Sequence, residues 1–246
     1  MSKLIKDGDF IGEEQLYSFL MIGQSNMAGR GEFADVEPIN NFRCYMLRNG
    51  RFLRMSEPVN PDRAIFEGRF HSGTSLAASF ANELANEYKC RVGLIPCADG
   101  GTYIDEWQPG EILYEHAVFM TKLAMKNSTL SGILWHQGES DCETDELLTS
   151  YTEKLKNLVA SLRRDLGCPD IPFITGELST LINRDFVPRV PTFNSQLHAA
   201  VREIPNFAVV SSDGLELKPD GIHFNAVSLR VFGKRYFEAY KEFIKE

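Results

Sequence analysis

The chain has 246 residues, 43% of them hydrophobic, and a formal net charge of -8. That is enough material for one α/β domain spanning residues 1–246, and no fixed-period repeat or low-complexity tract suggests another organisation. The acidic balance and the lack of a Lys/Arg block argue against nucleic acid or an anionic membrane as a partner, which leaves a small molecule.

The N-terminal stretch MSKLIKDGDFIGEEQL has no apolar signal-peptide core. No later run approaches the roughly 20 apolar residues that a membrane span needs, so the chain reads as soluble and cytoplasmic. The five cysteines, Cys44, Cys90, Cys97, Cys142 and Cys168, are odd in number and lack a C-x-x-C pair. Buried free thiols are expected rather than a disulfide framework or a cysteine zinc site.

In chain order, the runs Leu16 to Gly23, Arg91 to Ala98, Ser131 to Gly138, Ile171 to Leu178 and Asn206 to Ser212 are short, rich in β-branched and aromatic residues, and nearly continuous. Continuous apolar runs suit parallel strands covered on both faces. Between them, Leu76, Phe80, Leu84 and Tyr88 recur at a spacing of four, and Leu148, Tyr151, Leu155, Leu158 and Leu162 form one stripe. Both patterns predict amphipathic crossover helices. A further helix is expected from about Thr192 to Glu203, and a C-terminal one with Val227, Val231, Tyr236, Tyr240 and Phe243 near its buried face. The segment from about Glu32 to Arg69 has weak periodicity and several Pro and Gly, and reads as a long excursion after the first strand. The sum is a three-layer α/β/α sandwich around a doubly wound, mainly parallel five-stranded sheet of flavodoxin-like type.

Ligands of such sheets sit beyond the carboxyl ends of the strands. Polar clusters stand there: Gly23-Gln24-Ser25-Asn26, Ala98-Asp99-Gly100-Gly101-Thr102, and His136-Gln137-Gly138-Glu139-Ser140-Asp141, with Asp220-Gly221-Ile222-His223 near the C-terminus. Taken singly, Ser25 reads as a helix N-cap with Asn26, His223 as a structural histidine, Asp220 as a turn cap and Gly100-Gly101 as a plain turn. Together they supply a nucleophile, a base, an orienter for the base and oxyanion donors, the parts of acyl transfer.

The order of the parts excludes an α/β-hydrolase elbow, which needs G-x-S-x-G, whereas position 27 is Met. Asp220 precedes His223 by three residues, so on one helical turn both side chains share a face. Asp220 can then hold Nδ1–H while Nε2 faces Ser25 Oγ. His136, Glu139, Asp141 and His71 lack the spacing of a defined metal site. Trp107 reads equally as a pocket wall stacking on a sugar or as a core aromatic, and Cys142 has no evident base nearby.

The blocks GQSNM (Gly23 to Met27), GGTYIDEW (Gly100 to Trp107), WHQGESD (Trp135 to Asp141) and DGIH (Asp220 to His223) resemble those of the SGNH (GDSL-like) hydrolase superfamily, in particular family 6 carbohydrate esterases and sialate O-acetylesterase-like proteins. The resemblance implies Ser25 as nucleophile, His223 as general base and Asp220 as triad acid, with the backbone amides of Ser25 and Gly101 in the oxyanion hole. Gln24 and Gln137 replace the Asp and Asn of the wider superfamily, as in the carbohydrate-esterase branch. The Gln137 side chain is expected to offer an N–H to the oxyanion. Glu139 is the alternative acid, and His136, Gln24 and Trp107 are candidate substrate contacts.

The implied activity is removal of a short acyl group, acetyl above all, from a carbohydrate hydroxyl, without metal or organic cofactor. Two other classes stand beside it. One is a non-catalytic carbohydrate-binding protein on an esterase fold. The other is a flavodoxin-like nucleotide binder, which Asp99-Gly100-Gly101-Thr102 disfavours because it lacks the lysine of a phosphate loop.

Overall fold

The computed structural model describes residues 15–61, 71–183 and 188–245. Among these residues seven strands form one sheet: β1 (Leu16–Gly23), β2 (Cys44–Arg48), β3 (Arg51–Arg54), β4 (Arg91–Pro96), β5 (Thr129–His136), β6 (Phe173–Gly176) and β7 (Phe207–Val210), in the order β3-β2-β4-β1-β5-β6-β7. Every pairing is parallel except β2 with β3. β1 lies in the middle, between β4 and β5, which is why its sequence is apolar almost throughout.

The sheet therefore has two strands more than the five that the apolar runs predict. The additional pair is an antiparallel hairpin inside the excursion, where Arg48 faces Arg51 across a two-residue turn. Asn49 and Gly50 take φ of 49° and 75° there, the left-handed pair that a tight hairpin turn requires. The Asn-Gly dipeptide was the available signal. It is easy to miss because β3 is largely exposed and carries no apolar run. Residues 62–70 of the excursion lie outside the described residues.

The helices are α1 (Ser25–Ala28), α2 (Leu76–Tyr88), α3 (Ile112–Ala124), α4 (Asp145–Asp165), α5 (Val190–Ala200) and α6 (Ala226–Ile244). Alternation along β1 divides the core: Phe19 and Met21 pack with α2 and α6, whereas Leu20 and Ile22 pack with α3, α4 and α5. On the first side Phe19 meets Phe80 and Tyr240 edge to face, with centroids 4.8 and 5.1 Å away. On the second, Trp107 meets Trp135 at 5.4 Å and Tyr151 meets Phe193 at 4.6 Å. Each such ring contributes about 2 kcal/mol by leaving water.

The α4 stripe from Leu148 to Leu162 is buried as its spacing predicts. On α6 the face is rotated from the expected one: Val227 and Val231 are exposed, and Leu229, Phe232, Tyr236, Phe237 and Tyr240 are buried. Aromatic residues at i+3 and i+4 carry more apolar area than the two valines and decide which face turns inward. α3, not anticipated, buries the stripe Tyr114, Ala117, Val118, Thr121 and Ala124. Among the described residues no helix is long and apolar enough to cross a membrane.

Candidate active site

The strand ends are tied together by backbone bonds: Gln24 N–H donates to His136 O (2.8 Å), and Asp99 N–H donates to Gly23 O (2.8 Å). Gly23 has φ +123°, and a Cβ there would lie 2.1 Å from His136 O. Only glycine lets β1 turn this sharply against β5. The turn delivers Ser25 to the first position of α1. Ser25 is 6% exposed, and its backbone N–H has no acceptor among the described residues.

His223 reaches Ser25 from the loop between β7 and α6. His223 Nε2 lies 2.9 Å from Ser25 Oγ, and Nδ1 lies 2.9 Å from Asp220 Oδ2. The sequence suggested one helical turn for this pair, but residues 220–223 form a non-helical turn. Asp220 Oδ1 accepts from the backbone N–H groups of Ile222 (3.0 Å) and His223 (2.9 Å). This is the turn chemistry short Asp side chains favour, and it leaves Oδ2 for the imidazole. Burial works to raise the Asp220 pKa, but those two N–H groups and the His223 ring more than offset it, holding the carboxyl below the usual range. Two residues on, Asn225 Oδ1 accepts from Ser228 N–H (2.8 Å) and caps α6, fixing the far side of the loop.

Asn26, which sequence reasoning passed over as a possible cap, is fully buried and grips the same loop. Its Oδ1 accepts from Phe224 N–H (3.1 Å), and its Nδ2 donates to Ile222 O (3.4 Å) and to Glu139 Oε1 (2.6 Å). Asn26 thus holds the backbone on both sides of His223, and Glu139 orients Asn26. Burial pushes the Glu139 carboxyl up, while His136, with Nε2 3.7 Å from Oε1, and Asn26 outweigh it and leave a net lowered pKa. Glu139 is bonded to Asn26 and Asp220 to the His223 ring, so the two candidate acids hold different groups.

Gln137 is placed differently from the oxyanion expectation. Its Nε2 donates to Thr102 O (2.8 Å) and to Asp141 Oδ2 (2.5 Å). Both N–H bonds are engaged, so in this arrangement none is left for an oxyanion. The contact braces the loop that carries Gly100 and Gly101. Thr102 Oγ1 donates to Asp99 O (2.9 Å) and accepts from Trp107 Nε1 (3.0 Å), tightening the same loop. A Cβ on Gly100 would lie 3.4 Å from Ser25 Cβ, so the loop backbone packs directly on the serine. Gly101, at φ +73°, has open space over its Cα.

Residues 15–242 match the family model described as carbohydrate esterase, sialic acid-specific acetylesterase. The chain belongs to this family. A probable carbohydrate esterase of Arabidopsis thaliana is 29% identical over 238 residues, covering 90% of this chain and 89% of that protein. The crystal structure of that plant protein superimposes with a TM-score of 0.80 at 28% identity, over 92% of this chain and 98% of its own. NanS (TM-score 0.73, 19% identity, 95% and 98% covered) and a carbohydrate acetylesterase from Xanthomonas citri (0.61, 16%, 93% and 56%) share the fold. Membership makes this chain a carbohydrate esterase, hence a carboxylic ester hydrolase.

The esterase opens to solvent at Asp220 and His223 through a cleft of about 330 Å³ that Arg30, Phe33, His71 and Ser72 also line. Arg30, which no periodicity or motif marked, donates from Nη1 to Gly29 O (2.8 Å). A Cβ on Gly100 would lie 2.9 Å from its Nη2. The remaining candidate contacts are internal. Trp107 and His136 are fully buried, the first against Trp135 and the second against Phe232 and Tyr236. Gln24 Oε1 accepts from Gly138 N–H (3.3 Å). Trp107 is therefore core, not a pocket wall. Among the described residues no three His, Cys, Asp or Glu side chains gather as a metal site. The Cys142 thiol is buried, and burial together with Glu139 and Asp141 pushes its pKa far up, the reverse of an activated nucleophile.

Asp141 gives the esterase a pH-dependent element. Burial raises its carboxyl to about 6, against the bonds from Gln137 and Ile104 N–H that work to lower it. A carboxyl whose pKa is raised by folding adds stability below its unfolded value, and that increment is lost as pH rises through the folded value. The Tm difference between wild type and Asp141→Asn is therefore expected to shift against the wild type as pH rises from about 4 to about 7. Scanning calorimetry across that range checks it, and a pH-independent difference contradicts it.

Proposed function

We propose that this esterase removes acetyl groups from carbohydrate hydroxyls through an acyl-enzyme on Ser25. His223 Nε2 takes the Ser25 proton as Oγ attacks the ester carbonyl, and Asp220 holds the Nδ1–H and stabilises the imidazolium. The backbone N–H groups of Ser25 and Gly101 receive the tetrahedral oxyanion. Collapse breaks the bond to the sugar oxygen, which leaves as the alcohol with the proton from His223. Water, deprotonated by the same imidazole, then attacks the acetyl-serine and releases acetate. Gln137 acts in this scheme by holding the Gly100-Gly101 loop in place through Thr102 and Asp141.

The observation that most supports this reading is the unbroken chain from Asp220 through His223 to Ser25, with both links at 2.9 Å. Relatives described as acetylesterases support acetyl as the acyl group. The test is acetate release from a panel of acetylated mono- and oligosaccharides, with p-nitrophenyl acetate as a small reference ester. Turnover of at least one acetylated sugar with kcat/KM above that of the reference ester is expected. Failure to release acetate from any of them would leave a carbohydrate-binding protein on an esterase fold.

A further inference from the structure

We propose that the esterase has a second carbohydrate-binding region, a groove beside α2 and α6 that runs on from the active-site cleft and takes neutral sugar units beyond the acetylated one. The inference rests on the esterase reading and adds a substrate class to it: oligosaccharides rather than monosaccharides.

The cleft beside the triad shares Phe33 with a smaller cavity of about 230 Å³. That cavity shares Val36, Pro38, Ile39, Asn40 and Arg230 with a groove of about 600 Å³. The three spaces thus adjoin one another along the excursion, and the last is larger than the cleft beside His223. Its size falls within the roughly 300–1,000 Å³ of ordinary ligand sites.

The lining of the series fits a neutral sugar chain. Phe33 and Phe42 are each 51% exposed; the Arg43 guanidinium covers one face of the Phe42 ring, 4.3 Å from its centroid, and the rest offers the amphipathic stacking surface that sugar rings use. Asn41 Nδ2 donates to Oδ1 of both Asn82 and Asn86, each at 3.0 Å. Those two amides therefore turn their carbonyls toward Asn41. Their NH₂ groups have no acceptor among the described residues and are free to donate to hydroxyl oxygens.

The groove carries both signs of charge, Glu37 and Glu83 against Arg43, Arg230 and Lys234. Arg230 pairs with Glu57, and Lys234 lies 3.7 Å from Glu83. A phosphate or a carboxylate-bearing chain would have to break these pairs, whereas sugar hydroxyls need only the amides. The 33–43 stretch of the excursion links the spaces: Phe33 lines the first two, and Val36, Pro38, Ile39 and Asn40 line the last two.

Remote binding energy should appear as a length dependence in kcat/KM. Acetate release is measured on acetylated xylose, xylobiose and xylotetraose, each expressed as a ratio to p-nitrophenyl acetate. The ratio is expected to rise about tenfold or more from the monosaccharide to the tetrasaccharide. Phe42→Ala and Asn82→Ala should each abolish most of that rise. A ratio flat with length, or a rise that survives both substitutions, overturns the proposal.

A turnover-free arm separates the two readings. Unacetylated xylohexaose is titrated into the wild type and Phe42→Ala, following the side-chain amide resonances of Asn82 and Asn86. Perturbation of these resonances that is lost in Phe42→Ala supports the groove even if no ester is hydrolysed. No perturbation at millimolar sugar overturns it even if the esterase is active.

Discussion

Replacing Ser25 by alanine is expected to lower kcat for acetate release by roughly 10⁴–10⁶-fold, the scale of losing a triad nucleophile, with the fold intact. The hydroxyl is bonded to His223 Nε2, and the backbone geometry around it is set by Gly23 and by the Gln24 and Gly29 bonds. The backbone bonds do not involve Oγ, so circular dichroism and Tm should stay near those of the wild type. Retention of a tenth of the activity would mean that another group attacks the ester.

A loss of about 10²–10⁴-fold in kcat is expected for Asp220→Asn, because the amide keeps the shape but removes the charge that fixes the tautomer and stabilises the imidazolium. Asp220 is partly exposed and bonded to two N–H groups of its own turn, so solvent supplies part of what a buried acid would, and the loss should fall short of the largest known. Glu139→Gln should cost clearly less, since Glu139 meets Asn26 and not His223. The glutamine oxygen can still accept the Asn26 bond. Its effect should therefore come through the placement of the His223 loop. Steady-state kinetics of both variants, with Tm as a check on folding, decide the matter. If Glu139→Gln is the more damaging, Asp220 is a turn cap and the acid of the triad is Glu139.

Much of the architecture could be read from sequence because it depends on apolar periodicity. Central strands covered on both faces announce themselves as continuous runs, and the α4 stripe follows from spacing alone. The edge hairpin was not legible in that way, since an edge strand with exposed alternate residues carries little apolar signal. The buried face of α6 was misread because two valines fitted the period, while the heavier aromatic face won.

At the site, motif blocks and strand-end position singled out Ser25, Asp220 and His223, and His223 lies within hydrogen-bond reach of each of the other two. Side-chain direction was beyond the sequence. Gln137 spends both donors on Thr102 and Asp141, Trp107 turns into the core, and Asn26 reaches across 198 positions to Phe224. Each depends on which partner lies nearby in space, information that one chain read in one dimension does not hold.

The most direct measurement is labelling with a serine-directed p-nitrophenyl methylphosphonate, whose methylphosphonyl group takes the place of acetyl on the serine as p-nitrophenolate leaves, followed by intact and peptide mass spectrometry. The account predicts one label per chain, located at Ser25, loss of acetate release in step with labelling, and no label in Ser25→Ala. Labelling at another residue, or full activity in protein labelled at Ser25, would contradict it.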